Sequence, residues 1–155
     1  FDIQNPSFHY SKKIPILEFY DYCLKKIIEE QAGAIHVWIF TDSLTPGKLI
    51  ERFQIIVDEA ERDDITLAWT GDNSDDATIK DMITMAGFNC LVRPDSGLSQ
   101  MAGLIGRPKK EIILERASVD GNKVTIRAIK VIDRVKEGPA LLEERETIEE
   151  VLITN

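Results

Sequence analysis

The sequence predicts an α/β fold: a three-layer, Rossmann-like domain with a mainly parallel sheet, extended by a C-terminal β-hairpin and a helix. Three observations lead there. Short apolar runs of β-formers, HVWIF (36–40), ITLAWT (65–70) and NCLV (89–92), show little polar alternation, as strands covered on both faces do. Between them, apolar residues recur at helical spacing over 16–31, 48–62 and 77–86. Strands alternating with helices of these lengths are βαβ units around a parallel sheet.

In chain order, residues 1–15 have no period and contain Pro6 and Pro15, so they read as an irregular lead-in. Ile16, Phe19, Tyr20, Cys23, Leu24, Ile27 and Ile28 line one face of the first helix, which ends near Gly33. After the first strand, TDSLTPG (41–47) is a turn rich in capping groups that opens the second helix. GDNSDD (71–76) follows the second strand, and its last aspartates, Asp75 and Asp76, are placed to cap the third helix. EIIL (111–114) and 124–131 read as strands joined through Asp120-Gly121-Asn122, a hairpin signal. Gly138-Pro139 breaks the chain, and 140–152, with Glu143, Glu144, Glu146, Glu149 and Glu150, reads as a closing helix with an acidic, solvated face. A single α/β domain over 1–155 is expected. Because the chain begins at Phe1 rather than a methionine, a fragment of a longer protein is also expected.

At 155 residues the chain is long enough to bury a sizeable core. Its formal charge of −8 argues against a nucleic-acid surface, which needs a basic face. Cys23 and Cys90 have no CxxC spacing and are too few for a disulfide scaffold, so both read as small buried apolar residues. Trp38 and Trp69, lying in strands, and Met82, Met85 and Met101, at helical spacing, also read as core. No apolar run approaches the roughly 18 residues of a membrane span. A cytoplasmic protein is expected, with no membrane span and with a partner domain or homo-oligomer as a possible assembly.

The candidate site lies in NCLVRPDSGLSQMAGLIGRP (89–108). A short apolar strand ends in Arg93-Pro94-Asp95-Ser96-Gly97, and a compact helix runs from Ser96 or Ser99 to Gly106. Such a turn leaves backbone N–H groups free at the positive end of a helix dipole, which suits a phosphate. Right-handed crossovers place the turns at Asp42, Gly71 and Arg93 along one sheet edge, where open α/β sheets bind ligands. Ser96 or Ser99 can equally be a plain N-cap, Arg93 can pair with Asp95 or another surface carboxylate, and Asp42-Ser43 can simply cap the next helix.

Other site chemistries find less support. There is no GxxxxGK[ST], GxGxxG, HExxH or GxSxG, and no set of residues with metal-ligand spacing, so neither metal nor cofactor is expected. His36, heading an apolar strand, reads as a satisfied, partly buried imidazole rather than a base. GDNSDDATIKDMITMAGF (71–88) resembles the fourth motif of haloacid-dehalogenase-like phosphatases, whose clustered carboxylates hold magnesium. That family needs an acid/base aspartate two residues after its nucleophile. Here the candidate nucleophile Asp42 is followed two residues later by Leu44, which cannot transfer a proton.

A wider resemblance covers about Ile35–Leu114. A strand ending in IFTDSLTP, then helix, strand and helix, and finally FNCLVRPDSGLSQMAGLIGRPKKEIIL is similar to the nucleotide-sugar half of GT-B glycosyltransferases, closest to the fucosyltransferase-like groups. The resemblance implies that Ser96, Ser99 and the N–H groups of Gly97–Ser99 take the donor diphosphate, with Arg93 neutralising a phosphate oxygen. It places Asp42 and Ser43 beside the base or ribose, and Asp95 within the same binding turn. The chain departs from the family in carrying Gly97 where a second serine is frequent and in lacking an upstream HxRxGD-like segment. No catalytic base is identifiable. The alternatives are a non-catalytic Rossmann-like module for protein assembly and the magnesium phosphatase.

Overall fold

The computed structural model describes residues 15–70, 75–120, 123–137 and 141–154. These form α1 (Leu17–Glu30), β1 (Ile35–Phe40), α2 (Pro46–Glu59), β2 (Ile65–Thr70), α3 (Asp75–Met85), β3 (Cys90–Arg93), α4 (Gly97–Gly106), β4 (Lys110–Asp120), β5 (Lys123–Glu137) and β6 (Leu141–Thr154). Helices and strands alternate up to β4 as the hydrophobic pattern requires, which establishes the α/β class. Among the described residues no helix is long and apolar enough to cross a membrane.

The described residues pack as two units, 21–81 and 82–154 with 15–20, and nearly all of the lead-in expected over 1–15 lies outside the described residues. In the first, β1 and β2 pair in parallel, from Ile35 opposite Ile65 to Phe40 opposite Thr70. Helix α2 connects them, and its buried Phe53, Ile56 and Val57 follow the predicted stripe. Two arginines tie this unit together. Arg52 of α2 forks onto the Asp21 carboxylate of α1. Arg62 donates to the carbonyls of Ile28, Gln31 and Gly33, taking up acceptors that the end of α1 leaves unpaired, and pairs with Asp64. That hydrogen bond raises the Arg62 guanidinium and lowers the Asp64 carboxyl from their ordinary ranges.

In the second unit the strand order is β3-β4-β5-β6. Strand β3 runs parallel to β4 with α4 between them, whereas β4, β5 and β6 are antiparallel. The expected hairpin is present, closed by the pair Asp120–Lys123. Leu114, Ile126 and Ile129 are almost wholly buried and anchor the core.

Four expectations need correction. The segment expected to be an acidic closing helix is the edge strand β6. Glutamate favours helix locally, but β5 presents cations on the neighbouring strand: Lys130 pairs with Glu146 at 3.0 Å and Arg134 with Glu144 at 3.1 Å. Cross-strand neutralisation overrides local propensity here. Second, β1 and β2 form their own ladder, so the turns at Asp42 and Arg93 belong to different sheets rather than to one edge. Third, Trp38 and Trp69, expected in the core, are 37% and 46% exposed in a ladder of two strands. Fourth, Met101 is 48% exposed on α4.

Neither cysteine forms a disulfide; Cys23 is buried and Cys90 half-buried. Desolvation pushes the Cys90 thiol up, opposed by nearby Lys110 and reinforced by Asp133. Since the thiolate is the nucleophile, folded Cys90 should alkylate at least about tenfold more slowly at pH 8 than it does in urea. Mass-spectrometric counting of iodoacetamide adducts checks this; equal rates would contradict the burial.

Candidate functional site

The site is built upward from β3. Its four residues end at Arg93, after which Pro94 cannot continue a ladder and the chain turns through Asp95 and Ser96 into α4. Ser96 is the N-cap: extended in backbone, its Oγ accepts the Ser99 N–H at 3.4 Å. The buried Ser99 hydroxyl donates to the Pro94 carbonyl at 2.8 Å and lies 2.9 Å from Ser96 Oγ. The plain-cap reading of these serines therefore holds. The N–H groups of Gly97 and Leu98 lie in the first turn, where a helix offers them no intrahelical acceptor. A Cβ at Gly97 would meet nothing within 4 Å, so packing does not require this glycine and the space beside its N–H is open.

Arg93 is not a surface residue. Its side chain is 9% exposed, and its Nε donates at 2.7 Å to Glu111 Oε1 on β4. The other carboxylate oxygen of Glu111 is 2.6 Å from Arg134 Nη2 on β5. Arg134 also donates through Nη1 to the Pro108 carbonyl and through Nε to Glu144 on β6. Two buried guanidiniums thus share one buried carboxylate, and the next carboxylate, Glu144, is 46% exposed. Within this buried trio the two guanidiniums outnumber the one carboxylate, while Asp95 and Glu115 balance the charge of the wider cavity lining.

Arg93 Nη1 donates to its neighbour's carbonyl, Pro94 O, at 3.2 Å, while Nη2 meets no acceptor among the described residues. No side-chain polar atom sealed from solvent among those residues lacks a partner, so Nη2 is not sealed from solvent. A cavity of about 240 Å³ lies beside this cluster, lined by Arg93, Glu111, Ile113, Glu115, Lys130 and Arg134 of the sheet and by Gln100 and Leu104 of α4. Asp95, also in its wall, accepts a hydrogen bond from Gln100. Helix α4 sits close over this floor because residue 103 is glycine: a Cβ there would overlap the Glu111 carboxylate. Gly106 does the same for the backbone of Ala86.

The structure thus gathers Arg93, Asp95, Ser96, Gly97 and Ser99 at one turn. Asp42 and Ser43 belong to the other unit. There, Ser43 Oγ accepts the Thr45 N–H at 3.2 Å and Ser43 N–H donates to Thr41 Oγ1, while Asp42 is exposed. Thr45, not Asp42 or Ser43, is the residue at the cap of α2. Most of the aspartate loop proposed for magnesium, 71–74, lies outside the described residues. Among those described, no three carboxylate, histidine or cysteine groups converge on a metal position. His36 is exposed rather than partly buried, and its Nδ1 is satisfied by Thr66 Oγ1 across the β1–β2 ladder.

Glu111, Arg134, Lys130 and Gln100 escaped the sequence reading. Two of them carried a signal: Glu111 heads the apolar EIIL, and Arg134 sits in VIDRV. A charge inside a run of β-formers points to a buried, paired ion. No protein-family model, curated protein or solved structure matches the chain.

Proposed function

We propose that the chain is the nucleotide-sugar-binding domain of a GT-B-type glycosyltransferase, with the donor diphosphate held between the first turn of α4 and the cavity. The single observation that carries this reading is that three cationic side chains, Arg93, Lys130 and Arg134, line one cavity beside the first turn of α4, with Arg93 Nη2 given no acceptor among the described residues. A phosphate oxygen supplies the missing acceptor, and the Gly97 and Leu98 N–H groups supply fixed donors along the helix dipole. The β3–α4–β4 unit has the parallel topology that puts such a turn at the carboxyl end of a strand. The reading includes a Rossmann-like, three-layer arrangement.

At about 240 Å³ the cavity falls below the roughly 300–1,000 Å³ that enclose a drug-sized ligand. It admits the phosphate end of a donor and leaves the nucleoside outside. Fixed N–H groups and Arg93 then stabilise the leaving diphosphate without a metal.

Arg93→Ala is a poor test because it also dismantles the buried cluster. Lys130, with a 29% exposed side chain, is the better probe. Titration calorimetry with GDP, UDP, GDP-fucose and UDP-N-acetylglucosamine should find one nucleotide class that binds without magnesium. Lys130→Ala should weaken it about tenfold, the effect of losing one charge-assisted contact. Binding that needs magnesium would favour the phosphatase instead.

One observation favours a second reading, an assembly module. Helix α4 carries no charge, and its Leu98, Met101, Leu104 and Ile105 are 38%, 48%, 69% and 58% exposed. Exposed apolar stripes of this kind mark protein contacts. Sedimentation at increasing concentration, with Leu104→Glu as the control, separates this reading from the first.

A further inference from the structure

We propose that the acidic edge strand β6 is an internal competitor for the cavity's basic side chains, so that anion binding and docking of β6 oppose each other. The proposal rests on the cavity being an anion site. Lys130 and Arg134 both line the cavity, and each is held by a glutamate of β6. Lys130 Nζ lies 3.0 Å from Glu146, and Arg134 Nε lies 3.1 Å from Glu144. The register explains why. Glu144 lies opposite Arg134, Glu146 opposite Ile132 and Ile148 opposite Lys130, so Glu144 and Glu146 project on the same sheet face as the two cations. That face also carries Glu111 on β4, opposite Ile132, and Ile113, opposite Lys130.

An incoming anion must share or take these cations. Lys130 is the one that can turn: it is part-exposed and its partner Glu146 is 53% exposed, whereas Arg134 is fixed by Glu111 and the Pro108 carbonyl. When the Lys130 ammonium swings to a ligand, β6 loses a cross-strand ion pair next to the edge of the sheet. By linkage, an anion that displaces Glu146 from Lys130 binds more tightly once that pair is removed.

Glu150 provides an internal control. It lies on the same strand but reaches Arg116, which does not line the cavity, at 3.8 Å, and it is 86% exposed. Glu146→Gln and Glu150→Gln change the net charge equally, and only the first frees a cavity cation. The experiment is calorimetric titration of inorganic pyrophosphate into the wild-type chain and each variant at low salt. Amide exchange of β6 in the wild type is followed in parallel.

Glu146→Gln should bind about two- to five-fold tighter, the size expected of a part-exposed ion pair, while Glu150→Gln stays close to wild type. Pyrophosphate should speed exchange in β6. Equal gains in the two variants would reduce the effect to general charge and overturn the competition. An unchanged or weaker Glu146→Gln, with pyrophosphate still bound by the wild type, would overturn the competition and leave the anion site standing. Silence from the wild type and Glu146→Gln alike would overturn both.

Discussion

Glu111→Ala is expected to destabilise the chain by about 3–5 kcal/mol, the usual consequence of stripping the partner from buried ions. Its carboxylate answers two guanidiniums at 2.7 and 2.6 Å, and all three side chains are at least nine-tenths buried. Without it, two like charges are left facing each other in a region of low dielectric. The loss is comparable to a large part of a typical domain's 5–15 kcal/mol. Urea unfolding followed by far-ultraviolet circular dichroism is the measurement. Tryptophan fluorescence is the wrong probe, because Trp38 and Trp69 both lie in the Asp21–Asp81 unit. Replacing the whole cluster, as in Arg93→Met with Glu111→Leu and Arg134→Met, should cost much less than Glu111→Ala alone, since no uncompensated charge remains. A loss below about 1 kcal/mol for Glu111→Ala would mean that the cluster is wet and weakly coupled.

Gly103→Ala is the second large effect. In an exposed helix this change gains up to about 1 kcal/mol of propensity. Here the added methyl falls on the Glu111 carboxylate, which cannot swing aside because both its oxygens are held by arginines. The outcome is a net loss of about 1–3 kcal/mol from overpacking, with α4 displaced from the cavity floor. Anion affinity should fall along with stability, because α4 carries the turn. Gly97→Ala, where the new methyl meets open space, is the matched control and should fold normally. A stabilised Gly103→Ala would show that α4 does not rest on Glu111.

These two residues show which part of the site was legible in the sequence. The strand–turn–helix from Cys90 to Gly106 was readable because its signals are local: an apolar run, a proline stop, a serine cap and a small-residue helix. Arg93 was visible as a cation at that turn. Its true partner was not, because Glu111 lies 18 positions away and reaches it only once β3 and β4 align in parallel. Arg134 and Lys130 enter the cavity through the β4–β5 register, which is longer-ranged still.

Strand β6 failed for the opposite reason. Its glutamates give a strong local helix signal, and the cations that make it a strand are supplied by β5. The tryptophans were misplaced because an apolar run indicates a strand without indicating how many neighbours that strand has. The β1–β2 ladder has two strands, and both tryptophans are exposed on it.

Whether the end of β3 receives a phosphate is tested most directly by nuclear magnetic resonance. The ¹⁵N-labelled chain would be titrated with GDP-fucose, and in parallel with UDP-N-acetylglucosamine, in the absence of magnesium. The largest shifts are expected at the Gly97, Leu98 and Ser99 amides and at the Arg93 guanidinium, rather than at Gly47 and other residues at the start of α2. Shifts confined to α2, or to exposed lysines and arginines throughout the chain, with Arg93 silent, would contradict a phosphate site at this turn.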